Sequence, residues 1–130
     1  MPIRYQVNAE RRLILAVASE SIGERDLIGY QQDIGTHPEL AGFDELVDLS
    51  LVDSLLDIHL STIKRVADLA IDMERAHPPS KLAIVAPQDI YFGLGRMFEA
   101  FRTRSSQTRK QVSVFRSLLE AERWLAQPPS

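Results

Sequence analysis

The chain has 130 residues, 45% hydrophobic and 25% charged, with a formal net charge of −3. That composition supports one ordinary core, excludes general disorder, and gives no global reason to bind nucleic acid. Cysteine is absent, which rules out disulfides, thiolate catalysis and cysteine-ligated metal centres.

The longest apolar stretch, Leu13 to Ala18, is far short of the ~20 residues that cross a bilayer. The opening Met1-Pro2-Ile3-Arg4 lacks the apolar core of a signal peptide. A cytoplasmic protein without a transmembrane segment is the expectation. In chain order, Ile3, Tyr5 and Val7 alternate with polar residues, and Leu13 to Ala18 is nearly all apolar. Joined by the Asn8–Arg11 turn, these segments predict a hairpin over 3–7 and 12–18. Ser21 and Glu24 have capping-box spacing ahead of a helix carrying Leu27, Ile28 and Ile34. A strand follows at 43–49, while 50–59 fits either its extension or a buried loop.

Ile63, Val66, Ala67, Ala70, Ile71 and Glu74 share one helical face, with Ser61 as the expected cap and His77-Pro78-Pro79 as the stop. Leu82 to Ala86 is the clearest buried strand. The helix after Pro87 carries Ile90, Leu94, Met97, Phe98 and Phe101 on one stripe, and Gly93 and Gly95 within it suggest close approach to the sheet or another helix, with a kink as the alternative. A last strand is predicted at 112–115. Ser117 and Glu120 then open a terminal helix with Leu118, Ala121, Trp124 and Leu125 inward. The order β-β-α-β-α-β-α-β-α predicts an α/β fold, with a mostly parallel five-stranded sheet, an N-terminal hairpin and four covering helices. A single domain over 1–126 and a flexible tail at 127–130 are expected.

This order resembles the SpoIIAA-like, or STAS, domain of anti-sigma-factor antagonists and of the cytosolic parts of anion transporters. More closely, the chain resembles the uncharacterised bacterial SpoIIAA-like proteins labelled STAS/SEC14-domain proteins. The resemblance rests on Phe43-Asp44-Glu45-Leu46-Val47-Asp48-Leu49, on Leu82-Ala83-Ile84-Val85-Ala86-Pro87, and on Phe92 to Ala100 followed by Val112 to Arg116. It implies a phosphoacceptor serine near the start of the helix after the third strand. Ser61, Thr62 and Ser54 are the candidates, although none sits in the family's Asp-Ser-Ser-Gly setting.

Residues 96–116 hold six Lys or Arg against one acid, whereas 20–76 hold thirteen acids against four bases. Arg96, Arg102, Arg104, Arg109 and Lys110 are therefore candidates for binding an anion or an acidic partner. Asp44, Glu45, Asp48, Asp53 and Asp57 form an acidic run around an expected strand end, where open α/β sheets place ligands. Three dispersed histidines, His37, His59 and His77, give no local metal motif, so neither a metal nor a cofactor is expected. Ile90, Tyr91, Leu94, Met97, Phe98 and Phe101, together with Trp124, form a candidate apolar ligand pocket or dimer face. The leading expectation is a non-enzymatic interaction or regulatory domain, a homodimer that binds a protein or a small anionic ligand. Its alternatives are a small lipid- or hydrophobic-ligand-binding module and a small α/β enzyme.

Overall fold

The structure, a computed structural model, describes residues 2–128. The last part of the tail expected at 127–130 lies outside the described residues. Strands β1 (Ile3–Asn8) and β2 (Leu13–Gly23) form the antiparallel hairpin. Helix α1 (Glu24–Gly35) then leads to β3 (Asp44–Leu56), α2 (Leu60–Glu74) to β4 (Ser80–Val85), and α3 (Asp89–Arg104) to β5 (Lys110–Phe115). Helix α4 (Leu118–Ala126) closes the chain. The sheet order is β1-β2-β3-β4-β5, parallel from β2 onward.

Spatial order equals chain order, so every crossover moves in the same direction. Right-handed crossovers then place α1, α2 and α3 on one face. The last described helix, α4, packs on the other face, against β4 and β5. Period two sorts the side chains accordingly: Leu82 and Ile84 of β4 meet the three helices, while Ala83 and Val85 meet α4. On that second face, the buried Lys81 donates from Nζ to the carbonyls of Trp124 (2.8 Å) and Gln127 (2.7 Å). A cation at the end of α4 satisfies carbonyls the helix leaves open and suits its dipole.

Two expected helix starts move. Strand β2 continues to Gly23 because β3 extends to Leu56 and offers partners: Ser21 pairs with Ser54, Ile22 with Leu55 and Gly23 with Leu56. Ser21 is thus a strand residue whose Oγ lies 2.7 Å from Ser54 Oγ, and Gly23 takes the cap position of α1. The Asp26 carboxylate accepts from the Gly23 amide at 2.8 Å. At α2 the cap position is His59 rather than Ser61, and Thr62 Oγ1 accepts from the His59 amide at 3.2 Å. Ser117 caps α4 as its spacing predicts, accepting from the Glu120 amide at 3.2 Å, but Leu118 points largely to solvent.

Gly95 brings α3 onto the sheet: a Cβ there would meet Val114 at 3.1 Å and Ile84 at 3.7 Å. Gly42, just ahead of β3, has φ +84° and lies against Pro78, which would be 3.1 Å from a Cβ. A rigid ring and a left-handed backbone both oppose a side chain at that point. Gly42→Ala should therefore cost about 1–3 kcal/mol of unfolding free energy in urea titration.

Candidate functional site

Between the sheet and helices α1–α3 lies a cavity of about 200 Å3. For comparison, an apolar pocket of ~150 Å3 already admits benzene. Its floor is built from inward residues of the central strands, among them Ile14, Val47, Leu49, Val52, Leu82 and Ile84. Leu27 and Ile34 of α1, Val66 and Ala70 of α2, and Leu94 and Phe98 of α3 form its roof. Ala70, the small side chain on the inner face of α2, borders this space.

One end of this apolar space carries charge. On β3, Glu45 shares the inward parity of Val47 and Leu49; on β5, Lys110 shares that of Val112 and Val114. Both are buried, and Lys110 Nζ donates to Glu45 Oε1 and to the Phe43 carbonyl (3.1 Å). Tyr30 of α1 adds a hydroxyl to Glu45 Oε2 at 2.8 Å. Beside this group, Arg102 of α3 donates from one terminal nitrogen to Glu74 of α2. Arg102 is 1% exposed, yet its Nε–H has no partner. Gln31 Oε1 on the cavity wall is also without one.

Burial pushes the Glu45 carboxyl up, but the Lys110 charge and the hydrogen bonds from Lys110 and Tyr30 outweigh it, holding the group below its ordinary value. At Glu74 burial wins over the Arg102 charge, and that carboxyl lies above its ordinary value. Burial, then the Glu45 charge, pushes the Tyr30 phenol well up. Tyr5, edge-on to Tyr30 with centroids 5.8 Å apart, donates to Asp33 Oδ2 at 2.6 Å. That bond pushes its phenol up to about 12. Asp33→Asn should return it toward 10, a change that ultraviolet phenolate titration reads directly.

Among the lining residues, Gly35, His37 and Pro38 also reach solvent. They lie where α1 ends and β3 begins, so the cavity opens at the amino edge of the parallel strands. Met73, at the end of α2, lays its methyl directly against Gly35, and His77 lines the same end of the cavity. Strand-end sites of open α/β sheets lie at the opposite edge. The acidic run does not assemble a site there. Its residues are strung along a thirteen-residue strand and the turn after it, so Asp44 and Asp57 are on the order of 40 Å apart. Within the run Glu45 is interior, Asp44 Oδ1 accepts from the Lys81 amide, and Asp48 Oδ1 accepts from Ser50.

Other expected groupings separate too. Arg102 and Lys110 are interior partners of carboxylates and do not belong to a basic surface. Arg96 is exposed beside Glu99, Arg104 is exposed, and the Arg109 Nε–H reaches the Arg75 carbonyl at 3.4 Å. Trp124 packs on Phe115 and Lys81 across the sheet from α3, so it shares no pocket with the α3 stripe. Within that stripe Tyr91, Leu94 and Phe98 line the cavity, Met97 and Phe101 pack against the core, and Ile90 is 67% exposed. Ser61 is exposed on the first turn of α2 and Ser54 is exposed on β3, whereas Thr62 is 1% exposed and out of reach of a modifying enzyme. His37 and His77 line the same cavity end. Among the described residues no three His, Cys, Asp or Glu side chains converge as metal ligands. No described helix is long and apolar enough to cross a membrane.

No family model matches the sequence, and no curated protein matches it significantly. Among solved structures, an uncharacterised DUF3478-family protein from Shewanella loihica PV-4, described as having a SpoIIAA-like fold, is similar. The match has a TM-score of 0.60 over 95% of this chain and 93% of that one, at 15% identity. At that identity the likeness is one of fold: this chain has a SpoIIAA-like α/β fold.

Proposed function

We propose that the protein is a non-enzymatic binding domain that holds one small apolar or amphiphilic molecule between its sheet and helices α1–α3. The observation that carries this reading is the cavity itself: apolar over most of its wall, polar at one end, and open beside that polar end. A tail would exchange water for side chains such as Val52, Val66 and Leu82, at about 0.8 kcal/mol for each buried methylene. Of the sequence expectations, the hydrophobic-ligand module fits this geometry better than a surface site for anions. Octanol is a suitable neutral probe. Isothermal titration should give one site per chain, and excess octanol should raise the melting temperature by mass action. Absence of both effects rejects the reading.

A second reading draws on the opposite edge. Leu51, Leu56, Leu60, Ile90, Leu118 and Leu119 are all largely exposed. Leu56 ends β3, Leu60, Ile90, Leu118 and Leu119 open helices, and Leu51 lies on the part of β3 that runs past its pairing with β4, all toward the carboxyl edge of the sheet. Exposed leucines concentrated there favour docking against an apolar surface, a second copy of the chain being the simplest. Light scattering would then show a dimer, and Leu51→Asp combined with Leu56→Asp would return it to monomer. A monomer at every concentration removes this reading and leaves the cavity reading untouched.

A further inference from the structure

Building on the cavity reading, we propose that the ligand is a straight-chain monocarboxylic acid whose carboxylate is received by the Nε–H of Arg102. The tail then runs away from the opening along the inner face of α2. A buried guanidinium N–H without an acceptor carries a desolvation penalty, which a ligand oxygen relieves. Arg102 is the described cavity residue that joins near-complete burial, positive charge and an unused donor.

The neighbouring groups define the head group further. Lys110 is engaged by Glu45 and the Phe43 carbonyl, and one terminal nitrogen of Arg102 is engaged by Glu74. What remains suits a single, singly charged acceptor. A phosphate dianion would bring two negative charges into a site whose cations, Arg102 and Lys110, already face Glu74 and Glu45. Placement agrees as well. Arg102 ends α3 at the same edge as Gly35, His37 and Pro38, so a chain entering tail-first leaves its head beside the guanidinium while its carbons reach Val66, Leu82 and Tyr91.

The test compares octanoate with octanol at neutral pH, by calorimetry and by the arginine Nε–Hε resonances of isotope-labelled protein. Octanoate should bind about 10- to 100-fold more tightly than octanol, the size of a charge-assisted hydrogen bond. One Nε–Hε signal, absent from Arg102→Lys, should shift with octanoate and stay in place with octanol. Arg102→Lys keeps a cation beside Glu74 and removes the fork, so it should bind both probes alike. Equal affinities in the wild type, or an unmoved resonance, overturn the acid assignment while the cavity reading stands. Failure of both probes to bind removes the cavity reading as well. Should Arg102→Lys not fold, the wild-type affinity ratio alone decides.

Discussion

Lys110→Met should destabilise the protein by about 3–5 kcal/mol, measured as unfolding free energy in denaturant, because it leaves the Glu45 carboxylate buried and uncompensated. A loss of that size is a large share of the ~5–15 kcal/mol that holds a typical domain. Glu45→Met added to Lys110→Met should recover most of it, since an apolar pair carries no desolvation cost. The pH dependence should also reverse sign. In the wild type the folded-state value of Glu45 lies below its unfolded value. Its contribution is therefore full above the ordinary carboxylate range near ~4.3 and is lost as pH falls through the depressed folded value. Without Lys110 burial governs Glu45 and raises its folded value. Lys110→Met should then gain stability on acidification from neutral pH, where the wild type gains none from this group. Equal stability of Lys110→Met and wild type at pH 7 would contradict the pairing.

Ala70→Leu should abolish ligand binding while leaving the fold at least as stable. Ala70 is 4% exposed and lines the cavity from α2. Three added carbons on that wall enter unoccupied volume instead of packed neighbours, so the overpacking cost of a filled core does not apply. At about 0.8 kcal/mol per buried carbon, less about 0.5–1 kcal/mol for the leucine's lost rotamer freedom, the gain is roughly 1–2 kcal/mol. Octanol affinity should fall at least about tenfold because the tail loses its place. Weakened stability with unchanged affinity would show that Ala70 packs against a filled core.

The fold was legible wherever one periodicity ran without interruption. The six positions from Ile63 to Glu74 all proved buried on α2, Leu82 to Val85 lie in the interior strand β4, and Ser117 caps α4. Misreadings arose where long-range pairing overrode a local motif. Ser21 carries a plausible cap spacing, but the extension of β3 gives it a strand partner, and sequence spacing cannot register a partner 33 residues away.

The site was harder to read because its charged members look like surface. Glu45 sits in an acidic run, and Lys110 and Arg102 sit in a basic segment. The usable signal was strand parity: Glu45 lies two residues from Val47, and Lys110 two from Val112, on faces otherwise apolar. Glu74 carried the same signal as the acid on the inner face of α2. The cavity depends on the separation of helices from the sheet, and no residue pattern encodes a separation. Trp124 and the α3 stripe share an apolar character, yet β4 and β5 stand between them.

Diffraction from a xenon-pressurised crystal tests the central claim most directly, because xenon enters dry apolar cavities without needing a head group. The account predicts a xenon peak beneath α2, within van der Waals reach of Val66, Ala70 and Leu82, and its loss in Ala70→Leu. Helices α1–α3 seated directly on β3 and β4, with no xenon between them, would contradict it.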